Sequence, residues 1–166
     1  TIDLTENAWK LSFTEDAPKV GETFNLKGVK SWEGLSEKAK VMMGTGVYET
    51  TIKLSKDDAK KQWAIDLGDV RESARVYVNN KYIGCAWAVP YILNCKDALN
   101  KGKNIIRIEV TNLPANRIAE LDRQGVKWRK MKEINVVDIN YKKTTYEKWT
   151  PMPSGLNSTV KLVEIK

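Results

Sequence analysis

The stretch Leu113–Arg123, LPANRIAELDR, gathers two carboxylates, two arginines and an asparagine within eleven residues and shows none of the alternation of a strand. Hydrolysis of a glycosidic bond needs two carboxyl groups, one protonated and one ionised. Glu120 and Asp122 are of that type, yet neither stands in a catalytic motif, so no catalytic residue is assigned. Binding a sugar requires less. An aromatic face packs against the C–H surface of a pyranose ring, while arginine, asparagine and carboxylate groups bond to its hydroxyls. Asn116, Arg117 and Asp122 could supply the polar contacts, and Trp87, Trp128 and Trp149 the platforms. Each has an alternative use. Trp87, beside Pro90, could plug the end of the fold; Trp128 and Trp149 could lock their own loops; Arg117 could pair with Glu120 or Asp122 across a helical turn.

Other chemistry is narrowed by composition. With no histidine, a histidine triad, a histidine general base and a histidine metal site are excluded. Cys85 and Cys95 flank Pro90, but spacing does not establish disulfide geometry, and two free, buried thiols are expected. The net charge of +7 raises the question of nucleic acid. Its lysines are scattered through turns, and the densest run, Lys127–Lys132, carries no nucleic-acid signature, so no nucleic acid is expected. An acidic polysaccharide would also be attracted by basic residues around a sugar site. No apolar run reaches membrane length, so no membrane partner is expected. The opening TIDLTENAW lacks a signal-peptide pattern, consistent with a mature chain or an excised piece.

The elements that must position these residues read as strands. Trp9, Leu11 and Phe13 alternate with Lys10 and Ser12, and Val47–Leu54 repeats the period of two. Trp9 and Trp63 fall inside such strands, whereas Trp32 falls near a loop. Ser36 is placed to cap a short turn through Lys40. Gln62–Leu67 leads into Ala74–Val78, Asn79-Asn80 makes a tight hairpin turn, and Lys81–Trp87 returns. The β-branched Ile105–Val110 follows, then the 113–123 excursion with a short helical turn. Val136–Tyr141 and Thr159–Ile165 read as further strands around the aromatic loop 146–155. Arg71 and Glu72 read as a solvated pair. At 166 residues the chain suits one domain, 1–166.

The order of residues in the central block, Asp66-Leu67-Gly68, Val70, Ala74, Val76, Val78-Asn79, Lys81, Gly84, Trp87 and Pro90-Tyr91, then Leu99, Gly102, Asn104, Val110 and Asn112, resembles the sugar-binding jelly-roll domain of family 2 and rhamnosidase-type glycoside hydrolases. Gly44–Thr50 and Met152–Leu156 extend the resemblance over most of the chain. It implies an all-β, galactose-binding-domain-like β-sandwich with one or two short helical turns in its loops. It further implies a piece of a larger exported glycoside hydrolase, secreted or periplasmic, whose catalysis belongs to a separate barrel domain. On that basis the chain is expected to be a noncatalytic module binding a polysaccharide or oligosaccharide. The alternative is a structural accessory domain that supports the catalytic barrel and binds no sugar. Such sandwiches often hold a structural calcium; oxygen ligands are plentiful here, but no dense Asp/Asn run marks a calcium loop.

Overall fold

The computed structural model describes residues 1–130, 139–140, 142 and 144–165. In chain order the first half contains β1 (Ile2–Asp3), β2 (Ala8–Ala17), β3 (Phe24–Lys27), α1 (Glu37–Val41), β4 (Met43–Leu54), β5 (Trp63–Asp66), β6 (Val70–Arg71) and β7 (Ser73–Val78). The second half adds β8 (Lys81–Ala86), β9 (Ile92–Asn94), β10 (Gly102–Thr111), α2 (Ala115–Arg123), β11 (Gly155–Leu156) and β12 (Lys161–Glu164). The larger sheet runs β3-β2-β4-β10-β7-β8 and the smaller β1-β12-β5-β9, with β6 and β11 as a separate pair. All neighbours are antiparallel. This is an all-β sandwich.

Register explains why alternation suffices to build it. Leu11, Tyr48, Ile108 and Val76 are cross-strand partners in a row over four strands, and all four are fully buried. Ile65 and Leu162, partners in the smaller sheet, are fully buried too. Burying such aliphatic side chains stabilises by roughly 1.5–3 kcal/mol each. One residue along, Lys10, Glu49, Arg107 and Tyr77 form the corresponding row on the outward face. A slip of one residue would exchange the two rows, so register is strongly specified.

The capping and turn expectations hold. Ser36 accepts from the Ala39 amide at 3.1 Å. Asn79 and Asn80 both adopt positive φ, the requirement of the tight hairpin between β7 and β8. Trp9 and Trp63 are core residues. Trp32 is not a loop tryptophan in the solvated sense. It lies in a 3-10 turn, fully buried, and its Nε1 donates to the Tyr48 hydroxyl at 2.8 Å. Both thiols are free, but only Cys95 is buried; Cys85 points outward from β8 because it shares the exposed phase of that strand. Arg71 is not paired with Glu72: it bonds through two nitrogens to Asp69, at 2.6 and 3.0 Å. The helical turn expected within 113–123 is a nine-residue helix, α2. The strand expected at Val136–Tyr141 lies largely outside the described residues. Among the described residues no helix is long and apolar enough to cross a membrane.

Candidate functional site

Strand register sets which loops share an end of the sandwich. Thr111, the last residue of β10, partners Thr45 and Ser73, while Val110 partners Ala74, which partners Ala86 at the end of β8. The Trp87–Pro90 segment and the entry to α2 therefore emerge at the same end. Asn112 fastens that end. Its Oδ1 accepts from the Gly44 amide at 3.0 Å, and its Nδ2 donates to the Met42 carbonyl at 3.0 Å and the Ser154 hydroxyl at 3.1 Å.

A buried post holds the segment 152–156 from inside. The Trp32 amide donates to the Ser154 carbonyl at 3.2 Å, and the Tyr48 hydroxyl accepts from the Leu156 amide at 3.2 Å. Gly155, with φ of +89°, lies so close that an added Cβ would sit 2.3 Å from both Trp32 Nε1 and the Tyr48 hydroxyl. Only glycine fits there. Burial pushes the Tyr48 phenol well above its ordinary pKa, so it remains a neutral hydrogen-bonding group.

Of the six candidate residues, five lie on α2 or in the loops attached to it. Asn116 is buried and makes a two-point clamp on one backbone residue, donating from Nδ2 to the Met152 carbonyl at 2.9 Å and accepting the Met152 amide at 2.7 Å. Asp122 receives Trp128 Nε1 on one oxygen and the Tyr146 amide on the other, both at 2.7 Å. Trp128 thus spends its N–H inside the loop, and the Arg129 guanidinium stacks on its ring at 4.9 Å. Trp149 is 50% exposed and packs against Tyr146, ring centres 4.6 Å apart. Arg117 is partly exposed and forms no hydrogen bond or ion pair among the described residues, although its charge helps to lower the Glu120 pKa. Trp87 stands apart from α2 on the segment after β8, 76% exposed, beside Val89 at 82%.

Glu120, the other carboxylate of this stretch, accepts from Arg123 Nε at 2.8 Å and Gln124 Nε2 at 2.7 Å. The Arg123 bond is the main cause that holds its carboxyl below the ordinary range, which opposes a role as proton donor. Arg123 also donates to the Glu147 and Trp149 carbonyls, at 3.2 and 3.4 Å, tying the aromatic loop to the helix. Among the described residues no three carboxylate or thiolate side chains come close enough to hold a metal, so a calcium would find no carboxylate cluster there. Loop anchoring by Asn112 and Ser154 was not foreseen from the sequence. Asn112 lay in the Val-Thr-Asn motif at the end of β10, and its position just past a strand was the available signal.

The family model for the glycosyl hydrolase 2 galactose-binding domain-like family matches residues 34–155. The "Putative beta-glucuronidase" of Formosa agariphila is 27% identical over 178 aligned residues, covering 96% of this chain and 15% of that protein. Among solved structures, the rhamnosidase from Novosphingobium sp. PP1Y superposes with a TM-score of 0.78 at 24% identity, over 99% of this chain and 15% of that one. The beta-D-glucuronidase of Dictyoglomus thermophilum superposes at 0.57 and 17% identity, over 67% of this chain and 19% of that one. The chain therefore spans less than a fifth of the length of each of these relatives. With the sandwich, its motif order and the matched span in agreement, the chain belongs to the glycosyl hydrolase 2 galactose-binding domain-like family.

Proposed function

We propose that this chain is the noncatalytic carbohydrate-binding module of a larger, exported, polysaccharide-degrading glycoside hydrolase, and that its loop end contacts sugar through Trp87. The observation that carries this reading is the exposure of that indole, 76% open, on a short segment pinned at both sides. Ala86 before it is buried within β8, and after it the Tyr91 carbonyl accepts from the Leu67 amide at 2.9 Å. A rigid aromatic face loses little conformational freedom when a sugar stacks on it. Arg117, on α2 at the same end of the sandwich, makes no hydrogen bond or ion pair among the described residues and is the polar group we assign to the same contact. The relatives' names support the parent activity, and the engaged state of Glu120 and Asp122 supports catalysis residing elsewhere.

A second reading has its own support. Val89, Leu113, Met152 and Met43 are also exposed near this end, and an apolar collar offers a sugar no hydrogen bonds. It suits docking against a catalytic domain, as a structural accessory would. Calorimetric titration of the chain against a panel of neutral and acidic oligosaccharides separates the two. The expected result is saturable binding that quenches tryptophan emission and weakens at least about tenfold in Trp87→Ala, with no reducing sugar released. A folded sample that binds nothing on the panel, and whose Trp87→Ala variant instead loses association with the remainder of the enzyme, would establish the accessory role.

A further inference from the structure

We infer that the outward face of the six-stranded sheet is a second glycan-binding surface, made for an acidic, uronate-type chain laid across the strands. The choice of a glycan as ligand rests on the carbohydrate-binding reading; the surface itself is separate from the Trp87 end.

The surface is a single cross-strand row. Asn25, Lys10, Glu49, Arg107, Tyr77 and Tyr82 are successive partners on β3, β2, β4, β10, β7 and β8. Six strands at a spacing of about 4.8 Å make it roughly 24 Å long, room for several sugar units. At one edge the tyrosine rings pair at 5.3 Å, and Tyr82 is 52% exposed, offering an aromatic face with a hydroxyl at its tip. Beside them the Arg107 guanidinium lies 4.2 Å over the Tyr77 ring and 3.5 Å from Glu109. Its Nε is committed to the ion pair with Glu109, while its terminal nitrogens are not committed to any partner among the described residues. Arg107 donates no hydrogen bond among the described residues, its buried Nε lacks a hydrogen-bond partner, and 34% of the side chain is open. A planar donor fixed by stacking, with its terminal N–H groups unspent, fits a carboxylate through two bonds. At the other edge the row enters a cleft of about 750 Å³, whose lining includes Lys10, Asn25, Glu49, Thr51, Lys53 and Ile105. That volume is in the range of small-ligand sites.

Charge selects the class of chain. The outward positions of the sheet carry Lys10, Lys27, Lys53, Lys103, Arg75 and Arg107 against Glu49 and Glu109. This excess attracts a polyanion. Glu49 separates a glycan from a nucleic acid. It stands between Lys10 and Arg107 and forms no ion pair among the described residues, so its oxygens remain open to hydroxyl donors. Each unit of a polyuronate brings free hydroxyls for Glu49 to accept from, whereas the sugars within a DNA strand have theirs spent in phosphodiester bonds and offer Glu49 none.

The test is calorimetric titration of the chain with oligogalacturonate, its carboxyl-reduced neutral counterpart and single-stranded DNA of similar length. The expected result is saturable, salt-sensitive binding of the oligouronate, at least about tenfold weaker in Arg107→Ala and in Tyr82→Ala, intermediate in Arg107→Lys and unchanged in Trp87→Ala. Tyr82 is exposed, so its variant reports on binding in a folded chain whatever happens to Arg107→Ala. Absence of oligouronate binding, equal binding of the reduced chain, tighter binding of DNA, or wild-type affinity in both Arg107→Ala and Tyr82→Ala would each overturn the proposal. Loss confined to Trp87→Ala would overturn it while leaving the loop-end reading intact. Oligouronate binding that ignores Trp87→Ala, with no response to neutral sugars, would uphold it and count against the loop end.

Discussion

Asn116 and Arg117 are adjacent in sequence and opposite in circumstance. Asn116 satisfies both the amide and the carbonyl of Met152 from a buried position, whereas Arg117, half-buried, makes no hydrogen bond or ion pair among the described residues. Removing the amide leaves two backbone groups of the 150–155 loop without partners. Asn116→Ala is expected to cost about 1–3 kcal/mol in urea unfolding, and Arg117→Ala to stay within about 0.5 kcal/mol. Equal costs for the two would refute the clamp. The pair also marks the limit of reading sites from sequence. Residue type correctly indicated groups able to hydrogen-bond, but whether those bonds face a ligand or the protein's own backbone depends on where a loop 36 residues away returns. Asp122 was legible as a hydrogen-bonding carboxylate and not as the acceptor for Trp128 and Tyr146, for the same reason.

Strands proved more legible than loops because a period of two is a local property. Tyr48, Thr50, Ile52 and Leu54 are buried along β4 in the phase their spacing requires, and the Asn79-Asn80 turn follows from the backbone tolerance of asparagine. Trp32 lies in a connection, as its place near a loop implied, but its burial there was not legible because the turn that tucks it against Tyr48 of β4 leaves no periodic trace. The helix α2 runs longer than its short excursion suggested, since i to i+4 spacing competes with no alternation there. The two cysteines test strand phase directly. Cys85 is on the exposed side of β8, and Cys95 is fully buried, its thiol pushed up to about 11 by desolvation. An aromatic disulfide reagent at neutral pH is expected to titrate one thiol per chain, the second reacting only on unfolding; two fast thiols would contradict the burial of Cys95. The sign of the pH effect follows. Between the ordinary value of 9.0 and about 11 the unfolded chain has lost the Cys95 proton that the folded chain retains. Stability is full below that window and falls as pH rises through it, so the urea midpoint should drop from about pH 8 to about pH 10.5. The raised Tyr48 phenol acts in the same direction at higher pH.

At the scale of the whole molecule, the larger sheet joins two different surfaces, a loop end with exposed apolar groups and a flat face with alternating charge and paired tyrosines. Family motifs revealed the sandwich that carries both. That face was present in the sequence as the outward phase of six strands, but it becomes a row only once register aligns Lys10 with Glu49, Arg107 and Tyr77. Another long-range pairing bears on how the domain responds to tension. β1 lies antiparallel to β12, with Ile2 opposite Leu162 and Asp3 opposite Lys161, and the Leu4 amide extends the contact to the Val160 carbonyl at 2.8 Å. Both ends of the chain consequently leave from neighbouring positions. Tension applied between them opens this pair like a zipper, one hydrogen bond at a time, and does not shear the six-stranded sheet. In a single-molecule pulling experiment through the two ends, the domain is expected to yield in a first small step at low force, with β1 detaching from β12. The same domain pulled through cysteines placed at Lys53 and Lys10, which would load the sheet itself, should resist more strongly.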